Sequence, residues 1–304
     1  MTWVNQIVQG VLLGGYYALL ACGLSLMFGV MRIINLAHGD LAVLGAFLVF
    51  ALSQHGFSPF LALAVVLPAM AVFGWVLQRV ILERSLRSGV LVPLLTTFGL
   101  AIVIENLLFQ GFGVGFHGFG ADPRSLDIGT LAYNSWTITS QIRVGRLTVL
   151  TFAVAVAVLG GLQLFLARTS LGRAIRATAE DPDTAQLVGV NSRAIYALAA
   201  AIAVATVTLA GAFYGMRSTF APYDGPAQLI FAFEAVVIGG AGSLWGTLVG
   251  GIVLGVAQNI GAQIRPDWFL LSGHVVFLAV LAARLLLTGL RARGGISAVL
   301  GRRS

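Results

Sequence analysis

Long apolar stretches, almost free of charge, recur from one end of the chain to the other and constrain its fold more than any other feature. Of the 304 residues, 58% are hydrophobic and 10% are charged, whereas a soluble domain carries about 25% charged residues. Inside lipid, only helices and closed barrels satisfy every backbone hydrogen bond, and a crossing helix needs about 20 mostly apolar residues. We therefore predict an all-α fold, a polytopic transmembrane helical bundle that forms one domain over residues 1-304.

Charged residues, glycines and prolines divide the apolar sequence into nine membrane segments. The predicted segments cover residues 5–29, 39–53, 59–82, 91–110, 147–167, 194–216, 228–239, 243–264 and 268–289. At about 1.5 Å per residue, the second and seventh segments reach only about 22 and 18 Å, less than the hydrocarbon core of about 30 Å. We expect these two to be half-helices or tilted pieces packed inside the protein, so that about 8–9 segments, including short or broken helices, lie in the membrane.

Three arginine clusters predict the orientation of the bundle, because basic residues concentrate in cytoplasmic loops. They comprise Arg79, Arg84 and Arg87; Arg168, Arg173, Arg176 and Arg193; and Arg291, Arg293, Arg302 and Arg303. Nine crossings put all three clusters on one side, with the N-terminus outside and the C-terminus in the cytoplasm. Residues 111–146 then form an extracytoplasmic loop. Within it, the sequence TLAYNSWTIT predicts a short strand or hairpin, and the lone His117 is expected to be solvated.

The residue types that are missing from the chain exclude several classes of function. All 18 basic residues are Arg, so the lysine that holds nucleotide phosphates in a P-loop is missing and any ATP must be bound by another chain. Cys22 is the only cysteine, which excludes an intrachain disulfide and a cysteine-rich metal site. Neither G-x-S-x-G nor H-E-x-x-H occurs, and no basic stripe lies beside stacking aromatic residues. We therefore expect a chain that is not an enzyme, with no cofactor of its own, no metal site and no nucleic-acid partner.

Glycine is frequent, with 38 residues, and it often recurs at a spacing of four. Pairs of this kind are Gly10 and Gly14, Gly211 and Gly215, Gly246 and Gly250, and Gly251 and Gly255. In membranes, ridges of small residues let helix backbones approach closely. We expect these glycines to pack helices together and not to contact substrate.

The one long cytoplasmic connection, residues 168–193, carries start and stop signals for two short helices. The first is predicted from about Leu171 to Ala179. The second follows it, with Asp181 as the N-cap and Gly189 at its end. Apolar side chains are expected to be exposed on this unit, namely Leu171, Ile175, Leu187 and Val188.

A short amphipathic unit of this kind either lies on anionic lipid or seats in a groove of a partner protein. Acidic residues interrupt the apolar, basic-flanked face that lipid binding needs, so docking on a partner protein is the favoured interpretation. The residues expected to form this coupling surface are Leu171, Arg173, Arg176, Ala177, Glu180, Asp181, Ala185 and Gly189.

A second group of polar or flexible residues lies within or beside the apolar segments, where such residues are costly and often belong to a transport path. It comprises Asn35, His38, Asp40, Glu105, Glu234, Gly239 and Gly240. We interpret these residues as candidates for a translocation path or gate. Plainer roles remain open: Asp40 suits the N-cap of a helix over 41–53, Glu105 can reach the helix end, and Glu234 can pair with an arginine or a backbone donor.

Three sequence motifs together resemble the branched-chain amino-acid ABC transporter permease family, specifically its LivH-like subunits. They are NLAHGDLAVLGAF at 35–47, A-x-A-E-D-P-x-x-A-x-x-x-G at 177–189 and FEAVVIGGAGSLWGTLVGG at 233–251. The resemblance implies a permease of the bacterial cytoplasmic (inner) membrane, paired with a second homologous permease. It also implies two cytoplasmic ATPase subunits and an extracytoplasmic solute-binding protein. The implied cargo is leucine, isoleucine or valine, or another small polar solute. A proton- or sodium-driven secondary transporter is the alternative, since intramembrane acids and broken helices also suit that class.

Overall fold

A computed structural model describes residues 3–86, 89, 91–111, 122–139 and 142–300. The predicted glycine-rich segment with His117, and the Arg87, Arg302 and Arg303 members of the arginine clusters, lie outside the described residues. The helices are α1 (Trp3–Met31), α2 (His38–Ser53), α3 (Pro59–Leu77), α4 (Glu83–Leu86), α5 (Leu91–Asn106), α6 (Thr130–Tyr133), α7 (Arg146–Arg168), α8 (Ser170–Glu180), α9 (Pro182–Leu187), α10 (Ser192–Arg217), α11 (Gly225–Gly239), α12 (Leu244–Ile264) and α13 (Trp268–Leu300).

Helices occur at all nine predicted membrane segments, which confirms the all-α bundle. Seven of the described helices are long and apolar enough to cross a membrane. The other two, α2 and α11, have 16 and 15 residues and are the two short segments that the sequence predicts. The helices α3 and α5 each continue into a five-residue π-helical turn, Gln78–Leu82 and Leu107–Gly111.

The helix α1 is the centre of the bundle and packs against α7, α10, α11 and α12. Its closest neighbour is α12, where the glycine ridges predicted from the sequence meet backbone to backbone. A Cβ atom on Gly14 would overlap the backbone of Ile252, and one on Gly255 would overlap Gly10. The prediction that these glycines pack helices is therefore confirmed.

One side of the bundle carries a β-hairpin, and we call this side the hairpin face. β1 (Ser135–Thr139) pairs antiparallel with β2 (Ile142–Gly145), which confirms the predicted hairpin. The start of α1 lies beside it, because the Gln9 side-chain amide donates to the Arg143 carbonyl over 2.5 Å. The end of α10 lies there too, because Arg124 and Phe220 exchange two backbone hydrogen bonds of 2.8 Å.

The opposite side carries α4, α8 and α9, and we call it the coupling face. Glu83 joins two of the arginine clusters there: its carboxylate lies 3.6 Å from Arg79 and 3.2 Å from Arg193. The Ser192 hydroxyl donates to the Pro182 carbonyl over 3.1 Å and holds α9 against the start of α10. The first two predicted arginine clusters thus share one face, as nine alternating segments require.

The two short helices begin next to each other in the interior of the bundle. The α2 N-terminus lies near the middle of α1, because His38 Nε2 is 2.9 Å from the Leu20 carbonyl oxygen. The α11 N-terminus is in contact with it: a Cβ on Gly225 would overlap the Asp40 carboxylate, and one on Gly39 would overlap the Gly225 carbonyl. From this junction α2 runs to the hairpin face and α11 runs to the coupling face, so each is a half-helix.

The chain repeats this arrangement in the opposite orientation. In the first half, α1 is followed by an extended segment, the half-helix α2 and the helices α3 and α5. In the second half, α10 is followed by residues 218–224, the half-helix α11 and the helices α12 and α13. The corresponding helices α3 and α12 also begin with the same type of N-cap: the Ser58 hydroxyl accepts from the Leu61 amide, and the Ser243 hydroxyl accepts from the Gly246 amide. Inverted repeats with discontinuous helices at their interface are a common transporter design.

Candidate functional site

The junction between the two half-helices brings together three of the predicted path residues. The extended segment before α2 is held in place by Asn35, whose side-chain oxygen accepts from the Ala37 amide over 3.0 Å. The Thr97 hydroxyl of α5 accepts from the Leu36 amide over 3.1 Å. Asn35, His38 and Asp40 are all buried, so non-helical backbone is accommodated inside protein at membrane depth, as lipid requires.

Asp40 does not cap α2, and the N-cap interpretation is wrong. The helix begins two residues earlier, at His38, with Ala37 at the N-cap position. This earlier start follows from the Asn35 turn, which positions the Ala37 amide and makes a cap at position 40 unnecessary. The Asp40 carboxylate instead faces the glycine that begins α11. Asp40 therefore lies at the contact between the two half-helices.

Glu105 and Glu234 occupy different parts of the bundle. Glu105 is partly buried on α5, which contacts α2, the helix of Asp40. Glu234 is buried in α11, where its Oε1 atom lies 2.5 Å from Nδ1 of His274 on α13. The partner of Glu234 is thus a histidine and not the arginine or backbone donor that the sequence suggested. Sequence spacing alone does not show this pair, because 40 residues separate its members.

Gly239 and Gly240 do not lie at the junction. Gly239 ends α11 at the coupling face, where a Cβ would overlap the Gly246 carbonyl, and Gly240 adopts a φ of +98°. The predicted irregular turn is therefore present at the end of α11. The break in the helix at membrane depth, however, is the segment of residues 218–224 that precedes α11. The physical reason is that Gly239 allows α11 and α12 to cross closely and Gly240 supplies the left-handed turn, whereas the Gly39–Gly225 contact fixes the depth of the half-helices.

An aromatic cavity opens between α1, α10, α11 and α13, and sequence reasoning missed it. Its volume is about 490 Å³. The lining includes Tyr16, Tyr17, Tyr214, Arg217, Gln228 and Phe231. The Tyr16 hydroxyl donates to Oε1 of buried Gln228 over 2.5 Å, and the Tyr17 hydroxyl donates to Gln258 over the same distance. The sequence feature that could have indicated this cavity is the presence of Gln228 and Gln258 inside apolar segments, because a buried side-chain amide needs a hydrogen-bond partner.

The coupling unit folds as the sequence predicts. The helices α8 and α9 are joined by Asp181, whose carboxylate accepts from the amides of Asp183 (3.0 Å) and Thr184 (3.1 Å) and so caps α9. The hydrogen bond from the Thr184 hydroxyl, followed by the one from its amide, lowers the pKa of Asp181. Gly189 has a φ of +86° just past the end of α9.

One predicted exposure on this unit is wrong, and one residue of the predicted coupling surface is buried. Ile175 is buried because α8 packs on α1, α7 and α10, and Ala185 is buried because α9 packs on α8 and α10. The other coupling residues are exposed: Leu171, Arg173, Arg176, Ala177, Glu180, Asp181 and Gly189. The most prominent apolar side chains are Leu187 and Val188, which are 87% and 76% exposed. Exposed apolar side chains beside arginines on a rigid surface unit are typical of a protein docking site.

Comparison with known proteins places the chain among transport permeases. The family model described as "Branched-chain amino acid transport system / permease component" matches residues 6–282. The high-affinity branched-chain amino acid transport system permease protein BraD of Pseudomonas aeruginosa is 33% identical over 282 residues, 88% of this chain and 89% of BraD.

Two further relatives show the breadth of the similarity. The permease protein LivH of the high-affinity branched-chain amino acid transport system of Salmonella typhimurium is 30% identical over 277 residues, 86% of each chain. The fructose import permease protein FrcC of Rhizobium meliloti is 29% identical over 267 residues, 81% of this chain and 69% of FrcC.

The family consists of permease subunits of ABC importers, which are not enzymes themselves. The alternative of a proton- or sodium-driven secondary transporter is therefore wrong. The arrangement of half-helices, buried polar residues and an exposed coupling unit fits a multi-pass membrane permease. The chain belongs to the family of permease components of branched-chain amino acid transport systems.

Proposed function

We propose that this permease carries branched-chain amino acids into the cell. Leucine, isoleucine or valine would pass through it while ATP is bound and hydrolysed on partner subunits. The relatives BraD and LivH are permeases for these amino acids, and an aromatic, largely apolar cavity suits an aliphatic side chain. FrcC, a fructose permease, is a more distant relative, so the fold itself does not dictate the cargo.

The proposed complex contains a second homologous permease subunit, two cytoplasmic ATPase subunits and an extracytoplasmic solute-binding protein, all in the lipid of the bacterial inner membrane. The single observation that carries the ATPase assignment is the α8–α9 unit. Its caps make it rigid, and Leu187 and Val188 present an apolar tip for a groove in the ATPase. In this proposal the coupling face is cytoplasmic and the chain binds no nucleotide or other cofactor.

The half-helix junction is the proposed gate. Movement of the coupling unit reaches it through α1 and α10, both of which contact α8. Asn35, His38 and Asp40 shape the gate from the α2 side, and Glu105 belongs to it from α5, which contacts α2. Glu234 on α11, and the turn at Gly239 and Gly240 at its end, would let the second half-helix follow the movement. These are the roles we propose for the path residues.

The coupling assignment is tested by Leu187→Glu. A buried charge in the docking groove costs several kcal/mol unless it is paired, so this variant should insert and fold but lose its ATPase subunits on purification. Tyr133→Glu is the matched control, because Tyr133 is also 87% exposed but lies on the hairpin face. We expect the control to retain its ATPases. Equal ATPase recovery with Leu187→Glu and with the parent would contradict the proposed docking site.

A further inference from the structure

The aromatic cavity has a composition that suits one kind of ligand. On one wall, Tyr16, Tyr17 and Tyr214 form a continuous aromatic surface: the ring centres of Tyr16 and Tyr17 are 5.5 Å apart, and those of Tyr16 and Tyr214 are 6.2 Å apart. Phe231 extends this surface, 5.2 Å from Tyr17. The cavity volume of about 490 Å³ lies within the range of about 300–1,000 Å³ that is usual for small-molecule sites.

Arg217 supplies a positive charge at the edge of this cavity. It is the last residue of α10, it is exposed, and it lines the cavity together with Gln228. Within the described part of the chain, no carboxylate lies within ion-pair distance of its guanidinium group. Asp224, the nearby acid, is occupied by the Tyr214 hydroxyl at 3.1 Å and the Ala221 amide at 2.8 Å.

The rest of the cavity is preorganised by hydrogen bonds that do not involve Arg217. Gln228 is buried and accepts from the Tyr16 hydroxyl over 2.5 Å. This bond fixes the amide and the ring, so that ligand binding needs little side-chain ordering. The resulting site combines an apolar, aromatic surface with one guanidinium group. Guanidinium groups bind carboxylates through paired, charge-assisted hydrogen bonds, and aromatic faces attract ammonium groups.

We infer that this cavity is a transient binding site for a free aliphatic amino acid, with Arg217 as the residue that binds its α-carboxylate. The inference rests on the proposed import of branched-chain amino acids. The aliphatic side chain packs against Phe231, Phe269 and Leu13, and the ammonium group faces the tyrosine rings. The cavity lies near the hairpin face, between the proposed solute-binding protein and the half-helix junction. The cavity thus gives the permease its own selectivity for amino acids, in addition to that of the solute-binding protein.

The test uses cysteine labelling of the assembled transporter in membrane vesicles. Ala227→Cys places a thiol on the cavity wall, and the native Cys22 is fully buried. Leucine should slow the labelling of this thiol by a small methanethiosulfonate reagent. Leucinamide, which has the same side chain and ammonium group but no carboxylate, should not. Adding Arg217→Gln should abolish the protection by leucine, whereas Arg217→Lys, which keeps the charge, should retain part of it.

Arg265→Gln is the matched control. Arg265 is an exposed arginine that follows α12, close to the start of α13, but it does not line the cavity. We expect it to leave leucine protection unchanged. In uptake assays, Arg217→Gln should raise the KM for leucine about tenfold or more, as the loss of a hydrogen bond to a charged group predicts, with unchanged recovery of the ATPase subunits.

Three results would overturn the inference while leaving the proposed function intact: equal protection by leucine and leucinamide, protection that survives Arg217→Gln, and no protection by leucine in a parent transporter that imports it. A parent transporter that imports no branched-chain amino acid would overturn the proposed function, and this inference with it.

Discussion

At the scale of single residues, a few buried polar side chains fix the positions of the half-helices. Glu234 ties α11 to α13 through His274, and Asp40 meets Gly225 where α2 and α11 begin. Inside a membrane, such contacts supply the hydrogen-bond partners that water would supply to polar groups in a soluble protein. Each contact can be removed separately, so its share in folding and in transport can be measured.

Glu234→Gln should affect transport more than folding. Glutamine can keep the hydrogen bond to His274, so the melting temperature of the detergent-solubilised complex should stay close to that of the parent. Glu234→Ala removes the bond and should lower stability by about 1–3 kcal/mol. Uptake and thermal unfolding measured together on both variants check this. A proportional loss of uptake and stability in Glu234→Gln would show a purely structural role.

Gly225→Ala should destabilise the junction. The added methyl group would overlap the Asp40 carboxylate, and overpacking of this kind typically costs about 1–3 kcal/mol. Gly160→Ala is the control, because nothing lies within 4 Å of a Cβ at that position of α7. Thermal unfolding should show a lower transition temperature for Gly225→Ala than for the parent, and an unchanged one for Gly160→Ala. Equal transition temperatures for the two variants would mean that the two half-helices are not in contact.

At the scale of elements, local signals decide where helices begin and end. The α9 cap illustrates this, because Asp181 supplies the acceptor and Gly189 the left-handed residue that ends the turn. Both are legible in the sequence, and both were predicted. The glycine contacts between α1 and α12 were equally legible, since small residues at a spacing of four have few other uses in membrane helices.

The depth of α2 and α11 was only partly predictable. Their lengths showed that neither crosses the bilayer alone, but the contact of Gly39 with Gly225 joins residues far apart in the sequence. The Glu234–His274 pair and the aromatic cavity could not be predicted for the same reason. Each depends on how whole helices pack against one another, and the sequence pattern of one helix does not show which helix lies next to it. The burial of Ile175 was missed for this reason as well.

The α9 cap should weaken at low pH. Hydrogen bonds from Thr184 lower the pKa of Asp181 below its ordinary value of about 3.9. The carboxylate therefore stabilises α9 fully above that ordinary value, and this contribution is lost as the pH falls through the lowered pKa. Hydrogen exchange at the Thr184 amide, corrected for intrinsic rates, should show the loss. Asp181→Asn keeps a capping oxygen without titrating, so its protection should stay constant; an identical pH profile would exclude Asp181 as the cause.

At the scale of the whole molecule, two inverted halves produce one conduit with two distinct faces. The halves meet where α2 and α11 begin, and each sends its half-helix toward a different face. The coupling face carries a rigid docking unit, and the hairpin face carries the aromatic cavity. In the proposed function, this division places the ATPase subunits and the amino-acid cavity on opposite sides of the membrane.

The most direct test of this account locates the two faces in intact cells. Leu187→Cys and Tyr133→Cys place equally exposed thiols on the coupling face and the hairpin face, and the native Cys22 is buried. A membrane-impermeant maleimide should label Tyr133→Cys in intact cells. It should label Leu187→Cys only after the membrane is permeabilised and the ATPase subunits, which cover Leu187 in the proposed complex, are removed. Labelling of Leu187→Cys in intact cells, with Tyr133→Cys protected, would put the docking unit outside the cell and contradict the account.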